Sequence, residues 1–329
     1  MHTYDLDVVV TRGELIESRH RVHAAVVDAR GTLIARAGNP ELFTCWRSGA
    51  KPFQVMPFLA SGHADALGWG ARETAIACGS HGGEPEHVAL VRAMLDAVGL
   101  EEGDLACGAH EPLSRRGVRI LQQAGERPSR LHNNCSGKHA AMLAFAVRSN
   151  WPVLAYEQQG HPVQDRVTAT VAEWSDVPAD ALGTAVDGCG ALTFALPLIG
   201  MAAAFARLAE GARRGEELPA RIVRAMTEHA DLVGGTDRFD TVLMQETNGH
   251  VLAKVGAEGV HSLAVLDSGI GIALKVEDGA ARAQHPAALR VLQHLGALPE
   301  PLPERLDALL CTSLSNTRGE PVGAVCPAR

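Results

Sequence analysis

Thr44-Cys45-Trp46-Arg47-Ser48-Gly49-Ala50-Lys51-Pro52-Phe53-Gln54 is the stretch from which the fold is read. A serine three residues before a lysine at a helix start puts hydroxyl and amine on one face, because positions i and i+3 are neighbours on a helical surface. Pro52 falls where a first helical turn tolerates proline. Serine is a weak nucleophile at neutral pH, so an unprotonated amine beside it is what would make the pair reactive. Far downstream, Lys254-Val255-Gly256 sets a second lysine between two strand-like runs. A second amine nearby would help keep the first neutral, by like-charge repulsion and burial.

Working outward, residues 5–10, 20–28 and 31–37 read as strands, with Ala29-Arg30-Gly31 turning an antiparallel hairpin. Helical period begins at Lys51, stops at Gly62 and returns over residues 84–100. It continues through residues 137–150, 161–175, 191–214 and 217–233, with glycine or proline at the edges. Between 242 and 278 the period changes to strands, with Asn248-Gly249 as a hairpin-type turn. Helices return over 285–297 and 303–311, and residues 316–329 read as a tail or edge strand. Strands at both ends and helices between them imply an α+β fold, with one antiparallel sheet from the terminal segments and a helical middle. We expect a single domain over 1–329, with residues 1–60 and 240–329 holding the sheet and 61–239 mainly helical. Ser-x-x-Lys with a later Lys-x-Gly is the pattern of penicillin-binding proteins and serine β-lactamases, which sets the expected architecture.

The balance of 30 basic and 38 acidic residues gives a formal charge of −8. No basic run exceeds a pair, which argues against nucleic acid as a partner. The N-terminus, MHTYDLDVVVTRGEL, carries acids where a signal peptide needs basic residues, so a cytoplasmic location is expected. The longest apolar run, Ala191–Ala206, is broken by Thr193, Pro197 and Gly200 and falls short of a bilayer span. It reads as a buried core helix, and a membrane is not an expected partner. Seven scattered cysteines suggest no disulfide framework and fit a reducing compartment.

A second constellation combines Leu131-His132-Asn133-Asn134-Cys135-Ser136-Gly137-Lys138-His139 with Val186-Asp187-Gly188-Cys189-Gly190. Each thiol reads as lying at a glycine-rich helix start, where backbone N–H groups favour thiolate. Two single cysteines are not by themselves a zinc signature, and two buried inert thiols remain the plainer reading.

SRHRVHAAVVDARG, WRSGAKPFQ, ACGSHGGEPEH, LHNNCSGKHAAML, GHPVQDRV, DGCGALTFALPL, GGTDRFDT and KVGAEGV, in this order, resemble the rhizobial-type (etli-type) L-asparaginase family over nearly the whole chain. The resemblance implies a serine β-lactamase-like fold and hydrolysis of the side-chain amide of L-asparagine. It implies that Ser48 and Lys51 form one serine–lysine pair, with Ser80 and Lys254 a second beside it. It also implies a zinc ion (Zn2+) held by Cys135, Lys138 and Cys189, substrate contacts from Arg47, His139 and Asp187, and a homodimer. Lys275 competes with Lys254 for the second lysine. Val255 replaces the hydroxyl that usually follows the lysine of Lys-x-Gly, and no Ser-Asp-Asn stands in the middle, so penicillins are poor candidate substrates. Thr236 in GGTDRFDT reads as part of a turn and helix-capping or substrate-side loop. Two rivals remain: a zinc-hydroxide amidohydrolase with structural serines, and a β-lactamase-like binding or redox-sensing protein using Cys135 and Cys189 as a thiol switch.

Overall fold

Valine- and alanine-rich runs at the chain ends become sheet, and the alanine-rich middle becomes helix. The computed structural model describes residues 1–328. The chain opens with β1 His2–Thr3, β2 Val8–Arg12, β3 Leu15–His20, β4 Val22–Val27, β5 Leu33–Ala37 and β6 Phe43–Cys45. A 3-10 turn, Arg47–Ala50, runs directly into α1 Lys51–Ala60. There follow α2 His63–Ala66, α3 Ala71–Cys78, α4 Pro85–Asp96, α5 Arg115–Gln123, α6 Ser136–Arg148 and α7 Pro162–Ser175. Next come β7 Gly183–Val186, β8 Leu192–Pro197, α8 Leu198–Arg213, α9 Glu217–Glu228, α10 Ala230–Gly234 and α11 Phe239–Glu246. The chain closes with β9 Val251–Val255, β10 Val260–Val265, β11 Ile270–Val276, α12 Ala281–His294, α13 Glu304–Leu310, β12 Thr312–Ser315 and β13 Pro321–Pro327. Two compact units result. Unit 1 comprises Met1–Gly49, Leu196–Arg213 and the chain from Val242 onward; unit 2 comprises Ala50–Ala195 and Arg214–Thr241.

Unit 1 is built on two sheets, where the sequence led us to expect one. A six-stranded sheet has the order β1-β5-β4-β11-β10-β9, and a four-stranded one the order β12-β13-β2-β3. Pairing is antiparallel except for β1 on β5. Every residue of β4 is buried, as a central strand covered on both faces requires. Helix α8 lies on β4, β10 and β11. Its small side chains let the backbones approach so closely that a Cβ at Gly271 would collide with the carbonyl of Ala202 and the backbone nitrogen of Ala206. Cys311 and Cys326 form a disulfide across 15 residues, contrary to the expectation from scattered cysteines.

Unit 2 is a helical assembly in which α1 packs on α3, α6, α7 and α9. Phe53 meets Trp174 at 5.8 Å between ring centroids, and Phe58 meets Phe145 at 5.9 Å. One β-hairpin interrupts the helices, β7 antiparallel to β8 with Gly183 opposite Ala195.

Four local readings change. The apolar run 191–206 is strand and then helix, divided at Pro197, because a continuous apolar run hides a period of two as readily as one of 3.6. Residues 242–248 are largely helix, not strand. Asn248 and Gly249 both have positive φ (49° and 74°), and the Gly249 N–H returns to the Met244 carbonyl at 2.8 Å, so the pair caps a helix. Strand β3 leaves no alternating pattern in the sequence because it is an edge strand wet on both faces, with Leu15 74% exposed. Strand β13 is interior, between β12 and β2, and neither tail nor edge.

Candidate active site

The helical run from Arg47 carries Ser48 three residues ahead of Lys51, which opens α1 with Pro52 in its first turn. Lys51 is 1% exposed. Its Nζ is hydrogen-bonded to the Gly79 carbonyl, to Ser80 Oγ at 3.0 Å and to the Asn134 carbonyl at 3.2 Å. Gly79 ends α3, and a Cβ there would lie 2.8 Å from the Leu232 carbonyl and 2.9 Å from that of Val233. The missing side chain lets the Ser80 N–H reach the Val233 carbonyl at 2.8 Å, which fixes Ser80 under the Lys51 amine.

Asn134 links this lysine to the thiols. Cys135 is the N-cap residue of α6, its N–H held by Asn133 Oδ1 at 2.9 Å, while Asn133 Nδ2 donates to the Gly108 carbonyl at 2.7 Å. Cys189 does not start a helix as the sequence suggested. It sits in the β7–β8 turn, closed by Asp187 N–H to the Ala191 carbonyl (2.8 Å) and Gly190 N–H to the Asp187 carbonyl (2.9 Å), with Gly190 at φ 89°. The donor atoms of Cys135, Asp187 and Cys189 lie within 4.8 Å of one another. Lys138 Nζ, one helical turn past Cys135, is 3.3 Å from Cys189 Sγ.

The two thiols divide one proton unequally. The Cys135 thiol hydrogen-bonds Cys189 and, with the Lys138 charge, brings Cys189 down to about 5 despite burial. The same bond, together with burial, pushes Cys135 up to about 12. Burial acts to deprotonate Lys138, but Cys189, Cys135 and Asp187 outweigh it and hold the ammonium above its usual range. The cluster therefore carries an ammonium, a thiolate and a thiol. Two soft sulfurs, a carboxylate and an amine that becomes a donor on losing its proton form a set that fits zinc.

The L-asparaginase II family profile matches residues 8–327. The chain belongs to the L-asparaginase II family, a family of amidohydrolases. No curated protein sequence matches it. Among solved structures it is similar to Mglu in its native form, at 15% identity and TM-score 0.49, covering 84% of this chain and 65% of that one. It is likewise similar to Mglu in its glutamate form, at 15% identity and TM-score 0.48, covering 84% of this chain and 61% of that one. The chain thus spans less than two thirds of either. No helix among the described residues is long and apolar enough to cross a membrane.

In this L-asparaginase II chain, unit 2 brings together Lys51, Ser80, Cys135, Lys138, His139, Asp187 and Cys189, while Arg47, Ser48 and Lys254 belong to unit 1. Lys254 is fully buried on β9, donates to the Val255 carbonyl at 2.8 Å and stands opposite Ser262 in the ladder. Trp46 Nε1 donates to Ser262 Oγ at 2.9 Å. The glycine of Lys-x-Gly has a physical reason: a Cβ on Gly256 would sit 2.9 Å from the Trp46 carbonyl, so the strand end must be bare for residue 46 to lie against it. Lys275 is half-exposed on β11 and donates to the carbonyls of Glu258 (2.7 Å) and Val276 (2.6 Å).

Two buried residues of unit 2 carry no functional motif in the sequence. Tyr156 is buried, with its hydroxyl 2.6 Å from His139 Nδ1; its only sequence signal is rarity, as one of two tyrosines. Glu84, in the Gly-Gly-Glu-Pro run, is 1% exposed and accepts from Thr236 N–H and Thr236 Oγ1, both at 2.8 Å, and from Arg116 at 2.6 Å. Thr236 thus anchors its loop to Glu84.

Proposed function

We propose that the chain is an L-asparaginase that cleaves the side-chain amide of L-asparagine through a Ser48 acyl-enzyme, on a serine β-lactamase-like scaffold. The observation that supports this most is the buried Lys51 amine, one turn after Ser48 and bonded to two carbonyls and a serine hydroxyl. A neutral amine has two hydrogens and one lone pair. With its hydrogens held by Gly79 and Asn134, its lone pair is left for a hydroxyl proton, either from Ser48 as attack begins or from Ser80 in relay.

Ser48 Oγ bonds to the amide carbon as its proton passes to Lys51. A backbone N–H at the helix start steadies the oxyanion, a contribution of about 3 kcal/mol. Collapse breaks the C–N bond, the proton leaves with ammonia, and water then frees aspartate from the ester. Lys254 and Ser80 complete the proton-handling set, and Arg47, His139 and Asp187 bind substrate. Cys135, Lys138 and Cys189 would hold zinc, with Asp187 beside them. When bound, the metal supplies a fixed positive charge that orients the substrate. The working form is proposed to be a homodimer.

The test is ammonia release from L-asparagine by wild type, Ser48→Ala, Lys254→Met and Cys135→Ala, with ester trapping by mass spectrometry. We expect at least a thousandfold loss of kcat in Ser48→Ala and a weakened but measurable rate in Cys135→Ala. An active Ser48→Ala whose rate disappears on chelation would instead establish the zinc-hydroxide route, which the Cys135–Asp187–Cys189 cluster makes the principal rival.

A further inference from the structure

We propose that Tyr156 is a positioning residue that locks His139 as its Nε2–H tautomer, so that the imidazole offers one obligatory donor to a carboxylate or carbonyl oxygen of the substrate. This rests on the amidohydrolase reading of the site. The donors and acceptors around the Tyr156 hydroxyl fix the tautomer. The Tyr156 oxygen accepts from the Ala106 N–H at 3.0 Å. Its own hydrogen has one acceptor, His139 Nδ1, at 2.6 Å. A proton on Nδ1 would face the phenol hydrogen and leave it nowhere to go. Nδ1 therefore contributes its lone pair, and the ring proton sits on Nε2.

That Nε2 is buried and has no hydrogen-bond partner among the described residues, and His139 as a whole is 0% exposed. An N–H shut away from water without an acceptor is costly, and its persistence points to an acceptor that arrives from outside the chain. Metal is not that partner. The donor atoms that converge belong to Cys135, Asp187 and Cys189, with no histidine nitrogen among them, and a protonated nitrogen has no lone pair to give. His139 follows Lys138 directly on α6, and with Nδ1 accepting the phenol hydrogen the ring carries its single proton on Nε2 and is neutral. An uncharged N–H in a dry site discriminates by geometry: it rewards an oxygen at one place and penalises a ligand that lacks one.

Proton–nitrogen NMR of histidine-labelled wild type, with His139 assigned through its neighbours on α6, should show the Nε2–H form alone. Tyr156→Phe should let the Nδ1–H form appear and raise KM for L-asparagine about tenfold, with kcat within about threefold and zinc content unchanged. His139→Gln, whose amide can still donate, should retain more affinity than His139→Leu. An Nδ1–H proton in the wild type, or a Tyr156→Phe protein with unchanged tautomer and KM, would overturn the proposal. The wild-type spectrum needs neither turnover nor a folded variant. A correct tautomer in a protein that releases no ammonia would count against the asparaginase reading and leave the Tyr156 assignment standing.

Discussion

At the proposed Cys135–Lys138–Cys189 site, zinc should release two protons for each ion taken up. In the metal-free site, Cys189 lies near 5 and is already thiolate at neutral pH, whereas Cys135 lies near 12 and Lys138 above its ordinary 10.5, so both hold protons. A thiol and an ammonium bind metal only after losing them. Between about pH 6 and 9 the apparent affinity should therefore rise about 100-fold per pH unit, or about 2.7 kcal/mol. Competition against a chelator at several pH values gives the slope, and calorimetry in two buffers of different protonation enthalpy counts the protons directly. Lys138→Met supplies the control: at the alkaline end of that range, where Cys189 stays ionised without the Lys138 charge, one ligand proton is gone and the slope should fall from two to one. A wild-type slope of one that Lys138→Met leaves unchanged would show that Lys138 is not a ligand. A slope near zero would refute the protonation pattern itself.

Three further outcomes follow from the packing. Glu84→Gln should cost about 2 kcal/mol, since the buried carboxylate loses its charge opposite Arg116 while Thr236 keeps a weaker acceptor. Burial opposes ionisation of Glu84, but hydrogen bonds from Ser114, Thr236 and Arg116 hold its carboxyl below the ordinary 4.5, so this stabilisation is present above that value and lost as pH falls through the lower folded one. Urea denaturation at pH 7 and pH 3.5 should show the gap between wild type and Glu84→Gln narrowing in acid, and a constant gap would contradict the assignment. Gly271→Ala should lower stability by about 3 kcal/mol, because backbone atoms of Ala202 and Ala206 cannot rotate away; an unchanged melting temperature would mean that α8 can lift from β11 without cost. Trp46→Phe should cost about 1–2 kcal/mol by stranding the buried Ser262 hydroxyl, and Ser262→Ala in the same background should recover part of it.

What the sequence shows and what it hides divide along a physical line. Ser48, Lys51, Ser80, Cys135 and Lys138 stand in short motifs where chain connectivity fixes the geometry: three residues make one helical turn, and a glycine beside a reactive group marks a close approach, as Gly79 and Gly256 do here. Contacts set by tertiary packing leave no such trace. Tyr156 reaches His139 across 17 residues and Glu84 reaches Thr236 across 152, and each is one ordinary side chain whose partner only the fold selects. The secondary-structure errors have the same origin. Asn248-Gly249 can turn a hairpin or cap a helix with much the same positive φ values, and which one results depends on whether Phe239–Glu246 has a helical surface to bury. The run 191–206 is apolar by every local measure, yet Cys189 falls in a β-turn because β8 pairs with β7, a partner of no distinctive composition. The turn has a chemical consequence. A thiol at a helix start would owe its ionisation to backbone N–H groups, whereas the thiolate at Cys189 is stabilised by the Cys135 thiol and the Lys138 ammonium. Mutating Lys138 should therefore disturb both the metal set and the charge on Cys189, a coupling that no reading of the two cysteines one at a time would reveal.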